Sequence, residues 1–210
     1  MNQEEIWAAL EIERRGLADL LDALPEADWE RLSLCTGWRV RDVAAHLALA
    51  TKATVPWVLA EFVRARGDFD RMVHDTAVRH ARLPIREIAE QVRDSAGSHR
   101  RAPSTKPLDP LFDVLVHGQD IAVPLGVDRA MPLDSARTCA TFIWQRGFPF
   151  HPQRRLRGLR LVATDVDWTV GDGDVVEGPI QALLLLLSGR PAALPSLGGA
   201  GSAALAGRLR

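Results

Sequence analysis

The spacing of the apolar residues changes along this chain of 210 residues, and the change constrains the fold strongly. Over most of its length, apolar side chains recur every three or four positions, as on one face of an α-helix. From Leu159 they alternate with polar residues, and Leu161 and Ala163 continue a pattern typical of a β-strand. We therefore predict an α+β protein with a helical bundle in residues 1–150 and a small α/β domain in residues 151–210.

Prolines and glycines mark most of the helix boundaries. The predicted helices are residues 4–24, residues 40–66 with a kink near Pro56, a segment that begins near Pro84, a segment that Pro124 and Gly126 terminate, and residues 136–146. Four main helices joined by connections of mixed length indicate a four-helix bundle. In the second domain we expect a small antiparallel sheet with a turn at 171–174. The helix of five consecutive leucines, 183–187, is expected either to be buried on most sides or to cover a sheet and another surface together.

One predicted helix carries polar residues along the edge of its apolar face. Asp113 and His117 are four residues apart and Asp120 follows three later, so all three side chains share one stripe. A carboxylate and an imidazole arranged in this way can share a metal ion. His46, near the edge of the apolar face of the second helix, offers another imidazole. Two imidazoles and one carboxylate would leave a zinc ion one open position for water or substrate.

The spacing alone leaves other interpretations open. Pairs of the form Asp-x-x-x-His occur by chance on many helices, and both histidines, His46 and His117, could be hydrogen-bonded without a metal. Asp120 could orient His117 or transfer a proton, but it could equally form a simple surface pair with it.

Composition excludes several classes of protein. A formal net charge of -1 gives no reason to expect a nucleic-acid or anionic-membrane partner. Cys35 and Cys139 are too few and too far apart for a disulfide framework or a Cys-x-x-Cys site. The N-terminus carries acidic residues rather than a basic signal segment, and no apolar run approaches the roughly 20 residues of a membrane span. We therefore expect a cytoplasmic protein.

Four motifs follow one another along nearly the whole chain. They are Gly37-Trp-Arg-Val-Arg-Asp-Val-Ala-Ala-His46, Val114-Leu-Val-His-Gly-Gln-Asp-Ile-Ala-Val-Pro-Leu-Gly126, Leu161-Val-Ala-Thr-Asp-Val-Asp-Trp168 and Gly178-Pro-Ile-Gln-Ala-Leu-Leu-Leu-Leu-Leu-Ser-Gly-Arg190. Together they resemble the mycothiol-dependent maleylpyruvate isomerase family. The resemblance implies a DinB-like four-helix bundle that binds a divalent metal ion, usually zinc, followed by a small α/β domain.

The resemblance also implies roles for individual residues. The family's metal ligands, a histidine and a later Glu-x-x-x-His pair, correspond to His46, Asp113 and His117. Asp113 stands where the isomerases have glutamate, so the metal would lie closer to this helix or bind more weakly. Asp120 and Arg190 are the candidates for catalysis. Arg190 matches an arginine of the family and could anchor a substrate carboxylate, although a helix-capping role is equally open.

The function implied by the resemblance is thiol chemistry. A metal ion would hold mycothiol, a low-molecular-weight thiol, as the thiolate, which would add to an alkene conjugated to a carbonyl. Isomerisation or thiol transfer of a small, electrophilic, anionic substrate would follow. The alternative is a non-catalytic, metal-binding DinB-like protein for small-molecule binding or stress response, which a closed four-ligand metal site would favour.

Overall fold

The computed structural model describes residues 1–103 and 105–208, apart from the side chains of residues 206 and 208. Its helices are α1 Gln3–Ala23, α2 Glu26–Trp29, α3 Val40–Leu49, α4 Val55–Arg64, α5 Phe69–His80, α6 Ile85–Asp94, α7 Leu108–Leu125, α8 Leu133–Trp144, α9 Pro152–Arg155, α10 Ile180–Leu187 and α11 Leu205–Arg208. Its strands are β1 Leu159–Ala163, β2 Thr169–Gly171 and β3 Asp174–Gly178. The chain forms two compact units, residues 2–129 and the residues from Ala130 onward together with Met1.

The first unit is a bundle of α1, α3, α6 and α7. α1 packs on α6 and α7, and α3 packs on α5, α6 and α7. The apolar stripes predicted from the helical period meet inside the bundle, where Leu10, Leu17, Val43, Leu111 and Leu115 are buried. The predicted α+β class with an N-terminal helical bundle is therefore confirmed.

The prediction of one continuous helix over residues 40–66 is wrong. This segment is divided into α3 and α4 by residues 50–54, and Pro56 lies in the first turn of α4. Proline is tolerated there because the first turn has no intrahelical acceptor for the missing N–H. Helix α5 was not predicted. Its buried face is small, with Met72, Thr76 and Ala77 as its buried residues, so its apolar periodicity is weak.

The sheet of the second unit has the strand order β2-β1-β3. Leu161 of β1 pairs with Val170 of β2 in the antiparallel sense and with Val176 of β3 in the parallel sense. The prediction of a purely antiparallel sheet is therefore wrong for β3. The turn at 171–174 does not form a hairpin, because it carries the chain past the start of β1 to its other edge.

Two glycines make this close crossing possible. Gly171 has a φ of +76° and Gly173 a φ of +118°, which are backbone conformations that favour glycine. A Cβ atom on Gly171 would lie 2.3 Å from the carbonyl oxygen of Leu159, and one on Gly173 would lie 2.3 Å from that of Gly158. The turn is therefore restricted to glycine by both backbone angle and space.

Helix α8 belongs with the second unit. It packs on α10, and Trp168 Nε1 donates a hydrogen bond to Thr141 Oγ1 of α8 at 3.0 Å. The leucines of α10 are at most 4% exposed, so the predicted burial of this helix is confirmed. The boundary between the two compact units therefore lies before α8. The domain boundary predicted from the sequence lies at residue 150, and that division stays a prediction.

The packing of α8 on α10 predicts which fragment folds. A fragment of residues 130–210 should unfold cooperatively on heating, as followed by circular dichroism. A fragment of residues 151–210 should show no cooperative transition, because the apolar face of α10 that α8 covers would be exposed to water. Equal cooperative unfolding of both fragments would contradict this account.

Candidate functional site

Helix α7 lies between α1 and α3 in the bundle and carries the central histidine. Its start is fixed by Asp109, which accepts a hydrogen bond from the Lys106 backbone N–H at 2.6 Å. Its end is fixed by Gly126 in the left-handed conformation, with φ +70°. Between these ends, His117 and Asp120 are one turn apart on the same side of the helix.

His117 and Asp120 form a buried pair. The Nδ1 atom of His117 lies 2.8 Å from Oδ2 of Asp120, and the Asp120 side chain is 0% exposed while that of His117 is 14% exposed. The idea that they form a surface pair is therefore wrong. A carboxylate on Nδ1 fixes the orientation of an imidazole ring and directs its Nε2 away from the pair.

A connector before α3 adds a third polar group to this pair. Cys35 Sγ donates to Asp120 Oδ2 at 3.0 Å and lies 3.7 Å from His117 Nδ1. The backbone N–H of Leu34 also donates to the carbonyl oxygen of Asp120, at 3.1 Å. The connector is thus attached to α7 at Asp120 by both backbone and side chain.

His46 of α3 faces His117 across the bundle. The two ring centroids are 5.0 Å apart, and the ring planes make an angle of 75°. Trp38, which is 7% exposed, packs beside both rings, with centroid distances of 5.4 Å to His46 and 6.3 Å to His117. The two imidazoles therefore lie close together and are shielded on one side by an indole ring.

The two imidazoles have opposite protonation preferences. Burial, together with repulsion from His117, lowers the pKa of His46 to about 3, and the opposing attraction of Asp120 does not compensate. Burial acts in the same direction on His117, but the hydrogen bonds to Asp120 and Cys35 and the negative charge of Asp120 outweigh it and raise the pKa of His117 to about 10. At neutral pH the pair therefore carries one neutral imidazole, the form that binds metals, and one cation.

The structure brings some of the predicted site residues together but not all. His46 and His117 are neighbours, and Asp120 bonds to His117. Among the described residues, one group of three possible metal ligands has all its ligand atoms within 4.8 Å of one another, and it is Cys35, His117 and Asp120. The predicted set of His46, Asp113 and His117 does not meet that distance, so its assignment as the metal ligands stays a prediction.

Asp113 lies beside a buried arginine. It lines a small cavity with Arg14 and Leu47. Burial lowers the pKa of Arg14 to about 10, and the negative charge of Asp113 opposes that shift. The Arg14 guanidinium also donates to the carbonyl oxygens of Ser95 and Ser98, at 2.7 and 3.0 Å. The carboxylate of Asp113 is therefore influenced by a fixed positive charge.

Arg190 lies in the second unit, just after α10. Its Nη1 donates to the carbonyl oxygen of Ser188 at 2.7 Å, and its backbone N–H donates to the carbonyl oxygen of Leu185 at 2.9 Å. The first of these bonds agrees with the capping role that the sequence left open, because a cation at a helix C-terminus is favourable. The proposed contact of Arg190 with a substrate is not tested by these contacts.

Neither Cys35 nor Trp38 was predicted to be part of the site. Both lie in a connector without apolar periodicity, so no spacing rule relates them to α7. The available signal was their position, since Cys35 lies two residues before the motif Gly37-Trp-Arg-Val-Arg-Asp-Val-Ala-Ala-His46 and Trp38 lies within it.

Most of the helical bundle matches a known protein family. The family described as the mycothiol maleylpyruvate isomerase N-terminal domain matches residues 10–122, more than half of the 210 residues. The chain belongs to this family. The resemblance drawn from the motifs is therefore confirmed.

Two crystal structures share the fold over nearly the whole chain. One is that of the mycothiol-dependent maleylpyruvate isomerase, at 15% identity, and the other is that of a histidine-to-alanine mutant of that enzyme, at 14% identity. Both have a TM-score of 0.69, and each match covers 96% of this chain and 94% of the other. A comparison with curated protein sequences finds no match. Among the described residues of this family member, no helix has the length and apolarity needed to cross a membrane.

The opposite pKa shifts predict how the stability of the metal-free protein depends on pH. The free energy of unfolding should rise between about pH 3 and pH 6.5, the ordinary pKa of histidine, because in that range His46 is protonated only in the unfolded chain. It should fall from 6.5 to about 10, because only the folded chain keeps the His117 proton. The two histidines together therefore give the free energy of unfolding a maximum near pH 6.5. Chemical denaturation at a series of pH values would measure this dependence.

Variants separate the two contributions to that profile. His117→Gln should lose the decline on the alkaline side, and His46→Gln should lose the rise on the acid side. His99→Gln is the control, since that ring stacks on Trp7 at 4.6 Å and takes no part in the cluster. An unchanged alkaline decline in His117→Gln would show that another group causes it.

Proposed function

We propose that this family member is a metal- and mycothiol-dependent enzyme, an isomerase or thiol transferase, acting on a small electrophilic, anionic substrate. The observation that supports the proposal is the proximity of the His46 ring to that of His117, whose Nδ1 atom is engaged by a buried carboxylate. This pattern, in which a histidine donates Nδ1–H to a carboxylate, is typical of histidines that bind metals through Nε2. A cytoplasmic location and the absence of a nucleic-acid partner stay predictions from the composition.

Two imidazoles and a carboxylate are donors of the kinds that a divalent metal ion such as zinc binds. His46 is neutral without any metal, so its coordination displaces no proton. His117, whose Nδ1 is bonded to Asp120 and whose pKa is raised to about 10, would have to release its Nε2 proton to bind through that atom. We propose Asp113, one turn before His117 on α7, as the carboxylate ligand, as in the family motif. Three protein ligands would leave an open position for the thiol.

The metal would supply one chemical effect, the lowering of the pKa of a bound thiol. The residues of the chain supply orientation and shielding. Asp120 holds the His117 ring in one tautomer, and Trp38 covers both imidazoles and keeps water from one side of the site. Because Asp120 is fully buried and bonded to His117, we assign it orientation of the histidine rather than contact with substrate.

The ligand assignment is tested by metal content. His46→Ala and His117→Ala should each lose stoichiometric zinc, since three protein ligands leave no redundancy. His99→Ala is the matched control. Metal content would be measured by mass spectrometry of the purified proteins after dialysis. Equal zinc in the wild type and both variants would contradict the assignment.

One observation favours the alternative of a non-catalytic binding protein. Cys35, His117 and Asp120 have ligand atoms within 4.8 Å of one another, and His46 is adjacent to His117. A metal bound by all four residues would have no open position, as in closed structural zinc sites. Such a site would support small-molecule binding or sensing without thiol catalysis. Metal binding without affinity for any low-molecular-weight thiol would favour this alternative.

We further propose that Arg190 anchors a carboxylate of the substrate. Arg190→Lys should lower kcat/KM for maleylpyruvate, used as the probe, by about tenfold or about 1.4 kcal/mol, because lysine keeps the charge but not the planar fork. Metal content and melting temperature should stay unchanged. A lower melting temperature with unchanged activity per folded molecule would show that Arg190 only caps α10.

A further inference from the structure

Cys35 is attached to the site through a tight turn. Its backbone N–H lies 3.1 Å from Ser33 Oγ, and its carbonyl oxygen accepts from the Trp38 N–H at 3.0 Å. Gly37, at φ +78°, adopts the left-handed conformation that closes the turn. This short segment therefore directs the Cys35 thiol towards Asp120 and places Trp38 beside the two histidines.

The thiol and the imidazole share one acceptor atom. Asp120 Oδ2 lies 3.0 Å from Cys35 Sγ and 2.8 Å from His117 Nδ1. The Asp120 side chain has no exposure to solvent, so in the wild-type protein its oxygen atoms depend on protein donors rather than on bulk water. Removing the thiol would therefore change the hydrogen bonding of the oxygen atom that holds the His117 ring.

The arrangement does not resemble a nucleophile–base–carboxylate triad. In such a triad the carboxylate and the nucleophile contact opposite nitrogens of the imidazole. Here Cys35 approaches His117 Nδ1, at 3.7 Å, on the same side as Asp120. The thiol is thus placed to act on the carboxylate, and Nε2 of His117 points elsewhere.

We propose that Cys35 is a positioning residue, which holds Asp120 Oδ2 against His117 Nδ1 and thereby fixes the direction of His117 Nε2. The inference rests on the proposed function, in which Nε2 is the metal-binding atom. In this proposal Cys35 acts through Asp120 and forms no bond to the metal. Partners in the outer shell of a metal site of this kind typically change metal affinity by about 10- to 100-fold.

Two substitutions separate positioning from ligation. Cys35→Ala removes the donor, whereas Cys35→Ser keeps a hydroxyl that can donate to the carboxylate. Cys139→Ala, at a fully buried cysteine of α8, is the control for loss of a thiol. Cobalt(II) affinity would be measured by competition with a coloured chelator, together with the visible and near-ultraviolet spectrum and the melting temperature.

The positioning role predicts a specific set of results. Cobalt affinity should fall about tenfold in Cys35→Ala, return to near the wild-type value in Cys35→Ser, and stay unchanged in Cys139→Ala. The wild-type spectrum should contain no sulfur-to-cobalt charge-transfer band. Such a band in the wild type, absent from both Cys35 variants, would show that Cys35 is a ligand and would overturn the proposal. Equal affinity in wild type and Cys35→Ala would also overturn it.

A second measurement needs no metal and separates the two proposals. In nitrogen-15 NMR of the metal-free protein, the His117 Nδ1–H signal should persist in wild type and Cys35→Ser but exchange rapidly with water in Cys35→Ala. A wild type that binds no cobalt yet shows this pattern would contradict the proposed function while supporting the positioning role. A signal equally protected in all three proteins would overturn the positioning role.

Discussion

The buried carboxylate of Asp120 is the group on which the candidate site depends. An ionised carboxylate removed from water is costly unless charged or polar groups pair with it, and Asp120 is 0% exposed. His117 Nδ1 and Cys35 Sγ both approach its Oδ2 atom, and the Leu34 N–H bonds to its carbonyl oxygen. The requirement to satisfy one buried group therefore joins α7 to the connector before α3 and orients His117 towards His46.

This pairing also sets the charge of the site. The same bonds that satisfy Asp120 raise the pKa of His117 to about 10, while burial beside that cation lowers the pKa of His46 to about 3. A metal ion bound to Nε2 of His117 would have to displace a proton there, whereas none has to leave His46. Metal affinity should therefore increase as the pH rises through the neutral range.

The parts of the structure that depend on local periodicity were predictable. The helical stripes of the bundle, the buried α10 and the shared side of His117 and Asp120 follow from residue spacing alone. The parallel pairing of β3 was not predictable, because a short turn with glycines is typical of a hairpin as well as of the crossing seen here. Helix α5 was missed because little of its surface is apolar and buried.

The candidate site was predictable only in part. Spacing and family resemblance identified His46, His117 and Asp120, which the fold brings together, but they could not reveal that Asp120 is fully buried. Cys35 joins the cluster through a tertiary contact 85 positions away in sequence, and no pattern in one chain encodes such a contact. Asp113 shows the reverse case, since its spacing fits a ligand while the structure places it beside Arg14.

The most direct test of the central claim is the zinc X-ray absorption spectrum of the metal-loaded protein before and after addition of mycothiol. The proposed site predicts nitrogen and oxygen ligands alone before addition, with two imidazoles among them, and one sulfur ligand after it. The sulfur signal should be the same in wild type and Cys35→Ser. A sulfur ligand already present before the thiol is added, and absent from Cys35→Ser, would mean that Cys35 itself binds the metal, and it would contradict a site held open for a thiol cofactor.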